Sequence, residues 1–209
     1  QSECPDPSLA NPGSNAGNVG HFFTAIYDVF ACDLSSSVGF VFDAVGARWG
    51  AEARRIDFDH DPAALNFVSS RYYQVSHGRT ERHELAQAYV ALSRTHRLKD
   101  LLDLLATTPE NGGDGMLLDN TVIYYGSAMT GNTHAWAGNY AHFIVAGKNT
   151  NVKTGWHYDC SGATDCDVYT TLAQGAAVPL TTFGGYSGNN RRAVLNNGPI
   201  TKMLKTTLG

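Results

Sequence analysis

Long hydrophobic runs are missing from this 209-residue chain. None approaches the roughly 20 apolar residues that a membrane-spanning helix needs, so no membrane span is expected. Basic blocks are missing as well. Lys and Arg total 15 against 19 Asp and Glu, and the densest basic spots are the pairs Arg54-Arg55 and Arg191-Arg192. Phosphate backbones are held by clustered cations, so nucleic acid is not an expected partner. Several catalytic signatures are absent: Walker A, G-x-G-x-x-G, H-E-x-x-H and the G-x-S-x-G elbow. Their absence argues against P-loop, dinucleotide-binding, zincin and common serine-hydrolase chemistry. No C-x-x-C pair exists, which weakens a zinc reading of the cysteines. No N-x-S/T sequon exists, so glycosylation lends no support to a eukaryotic secreted origin. Charge itself is scarce at 16%, against 43% hydrophobic residues, a balance that excludes a disordered chain.

Glycine and asparagine are abundant, lysine is rare, and there are four cysteines. The sequence opens on Gln1 rather than Met, as a processed N-terminus or a fragment would. Together these features predict an exported protein, placed in the periplasm, at the cell surface or outside the cell. Cys160 and Cys166 flank the short polar turn Ser-Gly-Ala-Thr-Asp. Of the three connectivities open to four cysteines, the pairing Cys160–Cys166 with Cys4–Cys32 is favoured. A zinc site of His157, Cys160 and Cys166 would need a fourth ligand.

Residues 1–17 are rich in Pro, Gly, Ser and Asn and read as an N-terminal arm. Phe22, Phe23, Ile26, Tyr27, Val29 and Phe30 then recur at helical spacing, predicting a helix from Asn18 to about Cys32. Val38–Phe42 reads as a short strand. Residues 43–80 have no period, and irregular segments this long are commonly functional. Within them Asp57-Phe58-Asp59-His60-Asp61 suggests calcium. Pro62 and Val68, however, stand where an EF-hand loop places its Gly and its bidentate Glu. The longest helix signal runs from Glu81 to about Thr107, with Leu85, Ala88, Tyr89, Leu92, Leu98, Leu101, Leu102 and Leu105 as its apolar stripe. Pro109 and Gly112-Gly113 end it. A short helix is expected over Val168–Gln174, stopped at Gly175. Helices and strands in this order predict an α/β layered sandwich, a mixed β-sheet flanked by helices. Residues 18–209 form that single domain, or the C-terminal half of a larger one.

The most informative stretch runs from Leu117 to Gly155. Two apolar strand signals, Thr121–Tyr125 and His142–Ala146, bracket a polar loop with Asn132, Thr133, His134, Trp136 and Asn139. Loops at strand ends are where α/β domains place their sites. His134 there suits metal ligation or proton exchange near neutral pH, and equally a hydrogen bond that holds the loop. Asn132, Thr133 and Asn139 read as loop-supporting. Asp33 follows a helix end, where a carboxylate opposes the helix dipole. That cost makes a special role for it more plausible. His77 sits in a Ser-His-Gly turn.

The phrase LLDNTVIYYGSAMTGNTH, followed by a strand ending in Ala-Gly and then Lys-Thr-Gly, resembles the C-terminal half of a family of exported bacterial proteins called domain of unknown function 1552. The upstream order is similar: a helix ending in Ala-Cys-Asp-Leu, a strand, an irregular stretch with Ser-His, and a long helix. The family looks related to the alkaline-phosphatase and sulfatase superfamily. The resemblance therefore implies an alkaline-phosphatase-like sandwich with a divalent metal, Zn, Mg, Mn or Ca, held by Asp33, His77 and His134. It implies hydrolysis of a phosphate or sulfate ester, with no nucleophile identified in this chain. Trp136 and Ala137 stand where relatives continue with His and Asp. Gly126-Ser127-Ala128-Met129 takes the place of the superfamily's Asp-His metal pair. Relatives also have further chain upstream. These departures imply a fold incomplete without a partner, another polypeptide or a second copy, and an alternative role as a non-catalytic exported assembly or binding subunit.

Overall fold

The computed structural model describes residues 19–39, 81–126, 142–184 and 197–208. By contact density the chain divides into two units, Gln1–Leu117 with Met129–Trp136, and Leu118–Ala128 with Ala137–Gly209. Each is described by itself. Among the described residues no helix is long and apolar enough to cross a membrane.

The first unit is built on two packed helices, α1 (Val19–Ala31) and α2 (Glu81–Thr107). Both occupy the ranges that their apolar periods predict. Phe23 of α1 is buried and, along α2, so are Ala86, Tyr89, Ser93, Leu98, Leu101 and Leu105. The stripe departs from the expected one in its first half. Leu92 is exposed, and Ala88 with it, while Ser93 is buried. Ser93 tolerates burial because its hydroxyl donates to the Tyr89 carbonyl one turn back, at 2.7 Å, leaving no orphaned polar group. The solvent face carries the pairs Arg97–Asp100 and Lys99–Asp103. Exposed pairs of this kind contribute little stability. Beyond α2 the chain turns back tightly. Leu117 N–H donates to Thr108 O at 2.8 Å, Glu110 N–H donates to Gly115 O at 3.0 Å, and Pro109 bridges Met116. Pro109 cannot continue the helix, and Gly112 and Gly115 supply the positive φ that the return needs.

The second unit opens with a 3-10 turn, Leu117–Asn120, that delivers the chain into β1 (Val122–Gly126). β1 pairs antiparallel with β2 (His142–Ala146), in a register running from Val122↔Ala146 to Gly126↔His142. Among the described residues this two-stranded ribbon is the sheet. Of the mixed sheet expected from the sequence, the strand reading Val38–Phe42 falls largely outside the described residues. Gly147, directly after β2, lies where a Cβ would overlap the carbonyl oxygens of Leu118 and Asp119. Only glycine permits so close an approach of two backbones.

The helix α3 (Asp165–Gly175) packs on β1. It starts three residues earlier than its apolar pattern suggests, because Thr164 and Asp167 form a capping box. Its end also differs. Gly175 is the last helical residue, and its missing Cβ makes room for Val152, whose Cγ2 would lie 2.6 Å from such an atom. The left-handed residue is Ala177, with φ 62. Ala177 N–H donates to Gln174 O at 3.1 Å and Val178 N–H to Ala173 O at 2.9 Å, the paired bonds of a Schellman motif. Glycine is thus spent on packing, and alanine carries the strained turn. Two substitutions separate these roles. Ala177→Gly is expected to stabilise the protein by about 0.5–1 kcal/mol by relieving left-handed strain. Gly175→Ala is expected to destabilise it by about 1–2 kcal/mol through overpacking on Val152. Chemical denaturation midpoints of the two variants would read both signs.

Candidate functional site

Asp33 is the sequence-predicted metal ligand that falls within the described residues. It sits just past α1 with φ 53. Asp33 N–H donates to Phe30 O at 3.2 Å and Leu34 N–H to Val29 O at 2.9 Å. This is a second Schellman motif, again closed by a residue other than the usual glycine. The carboxylate is exposed and has no hydrogen-bond or ion-pair partner among the described residues. Left-handed backbone and an adjacent helix C-terminus both act against an Asp here, by about 1–2 kcal/mol in all. Cys32 beside it is disulfide-bonded. His77, His134, Asn132, Thr133, Asn139 and Cys4 lie outside the described residues. Among the described residues no three His, Cys, Asp or Glu side chains are grouped to hold a metal ion. Cys160 and Cys166 are both free thiols, so the expected bridge between them is not formed. Cys166 stands in the first turn of α3, and its sulfur packs against Gly184.

A second constellation, which the sequence did not signal, stands at the loop end of the ribbon. Tyr124 Oη lies 2.7 Å from His142 Nδ1, with the rings stacked at 5.3 Å. A Cβ on Gly126 would collide with both atoms, so the missing side chain is what lets them meet. Tyr169 of α3 packs edge-on against Tyr124 at 5.8 Å, and Phe183 packs on Tyr169 at 5.3 Å. Burial, then Tyr169 and Asp165, push the Tyr124 hydroxyl up to about 12. The hydroxyl is therefore protonated at neutral pH, and the hydrogen bond to Nδ1 runs in the direction that the imidazole tautomer sets. The pair holds the His142 ring in place through this hydrogen bond. What brings Tyr124, Gly126 and His142 together is the strand register, which the sequence alone does not give.

The buried face of α3 is polar. Asp167, Thr170, Thr171 and Gln174 are each no more than 2% exposed. Three of them hold the C-terminal segment by its main chain. Asp167 accepts from Asn197 N–H at 2.7 Å, and Thr171 Oγ1 accepts from Ile200 N–H at 2.8 Å. Gln174 accepts from Leu208 N–H and donates to Leu208 O, both at 3.0 Å. Asn151 repeats the device, accepting from Thr206 N–H at 2.8 Å. Beside α3's C-terminus lies an open polar cavity of about 450 Å³, lined in part by Asn120, Asn149, Asn151 and Lys205. The Lys205 ammonium donates to the Thr150 and Lys148 carbonyls, so this cation closes the loop structurally.

Compared with family models, characterised proteins and solved structures, the chain matches none.

The Asp167 carboxyl has a testable pH signature. Burial alone would raise it, but hydrogen bonds from Thr164 and Asn197 outweigh that and hold it below its ordinary value. A carboxyl lowered on folding contributes stability above its unfolded pKa of about 3.9, and loses it as pH falls through the folded value. Stability is therefore expected to fall below about pH 4. Asp167→Asn should blunt that acid dependence and cost about 1–3 kcal/mol at neutral pH, because an amide N–H₂ would face donors. Urea unfolding at pH 7 and pH 3 measures both.

Proposed function

We propose that the chain is part of an exported, metal-dependent hydrolase-like protein of the alkaline-phosphatase type, in which Asp33, His77 and His134 hold a divalent cation. The observation that carries this reading is Asp33. It keeps an exposed oxygen donor, without a partner among the described residues, at a left-handed helix end where Gly or Asn would be more stable. Strain without structural compensation is a mark of functional positions. A carboxylate with two imidazoles is a donor set that suits Zn best and also accommodates Mn. When bound, such a metal supplies Lewis-acid chemistry for phosphate or sulfate ester hydrolysis. Asp33→Asn tests the reading. The variant is expected to be about 0.5–1 kcal/mol more stable, since the dipole repulsion is removed, and to bind Zn or Mn about tenfold or more weakly. Unchanged affinity, measured by calorimetric titration, would sink it.

A second reading, a non-catalytic assembly subunit partnered by another polypeptide or a second copy, is favoured by a different observation. The ribbon face opposite α3 carries Ile123, Tyr125, Phe143 and Val145, and Phe143 is 59% exposed. Exposed apolar area on a short ribbon favours association. Sedimentation velocity should show concentration-dependent association that Phe143→Asp weakens. A wild-type chain that stays a folded monomer from dilute to concentrated solution would contradict this reading.

A further inference from the structure

The two free thiols of the second unit frame the start of α3. Cys160 O accepts from Ala163 N–H at 2.9 Å, and Ser161 N–H donates to Asp159 Oδ1 at 2.9 Å. This turn brings Cys160 to within about 7 Å of Ala163 at Cα, three residues before Cys166. Thr164 caps the helix, and Cys166 is its second residue. The Cys166 sulfur rests on Gly184, at 3.1 Å from where a Cβ would stand. The segment ending at Gly184 has two further ties to α3: Gln174 Nε2 donates to Leu180 O at 2.9 Å, and the Phe183 ring packs on Tyr169. One residue after Cys166, Asp167 holds Asn197 and so the C-terminal segment. Both sulfurs are partly buried and neither is bonded.

We propose that Cys160 and Cys166 form a dithiol–disulfide couple whose oxidation draws the Cys166 sulfur off Gly184 and loosens the segments that α3 holds. A disulfide needs its sulfurs about 2.05 Å apart and its Cα atoms about 4.4–6.8 Å apart. Bridging therefore moves a sulfur from its present place, and the Cys166 sulfur is the one whose place supports a neighbouring segment. The co-reactant is a small-molecule disulfide. One cysteine thiolate attacks it and releases one small thiol. The second cysteine attacks the resulting mixed disulfide and releases the other. The protein loses two hydrogens, and the small disulfide is reduced to two thiols. This couple is independent of the metal reading.

The test uses the full chain, purified without reductant and equilibrated across ratios of reduced to oxidised glutathione. Peptide mass mapping is expected to locate an intramolecular 160–166 bridge with loss of two hydrogens, the Cys32 disulfide being unchanged. Cys160→Ser and Cys166→Ser should each take up glutathione instead. Amide exchange at Gly184 and Asn197 is expected to be about tenfold or more faster in the bridged wild type than in the dithiol. Gly184→Ala, which crowds the sulfur, should shift the thiol–disulfide balance toward the bridge. Thiols that stay free, or form only glutathione adducts at every ratio, would overturn the proposal. So would a bridge that leaves both amides exchanging at the dithiol rate.

Discussion

The second unit depends on one kind of contact, buried polar side chains of α3 bonding to main-chain groups of an irregular segment. Residues 197–208 contain a single 3-10 turn, Thr201–Met203. Their backbone amides have few partners of their own, and buried amides without partners are costly. Asp167, Thr171 and Gln174, spaced at i, i+4 and i+7 along α3, meet Asn197, Ile200 and Leu208 in turn. Asn151 takes Thr206. Between these bonds, Leu204 buries its side chain at the bridge to Val152. One helix face thus does for the C-terminal segment what a neighbouring strand does in a sheet. The same helix packs Tyr169 on Tyr124 of the Tyr124–His142 pair, so the segment's anchor and that pair share a support.

Much of the helical framework was legible because it is apolar and periodic. The two long helices fall where repeated aromatic and leucine residues put them, and β2 spans the expected residues. The departures have one cause, polar groups satisfied inside the fold. Ser93 replaces Leu92 on the buried stripe of α2 because its hydroxyl bonds within the helix. The burial of the polar stripe of α3 has no signal in the sequence, because nothing in an i, i+4, i+7 pattern says that the face opposite is backbone. The Thr164-x-x-Asp167 capping box was the available signal for the early start of α3. Gly175 reads as a helix stop, whereas its role is contact with Val152.

The site was legible to a different degree. Asp33 was singled out by the conflict between a carboxylate and a helix C-terminus, and its left-handed backbone adds to that conflict. His77 and His134 were chosen by the resemblance and by position. The Tyr124–His142 pair could not be read from the sequence, since it depends on strand register and on the space above Gly126. The pairing of Cys160 with Cys166 was inferred from a short polar turn. In the structure both thiols are free, and the Cys166 sulfur rests on Gly184.

Metal content of the natively purified chain, set beside that of a His77→Ala/His134→Ala variant, bears most directly on the proposed function. A metal-dependent hydrolase-like site predicts a near-stoichiometric divalent metal in the wild type, lost in a variant that keeps its helical circular dichroism. A folded wild-type chain that carries no metal, or a variant that retains it in full, would contradict that function and leave the assembly reading standing.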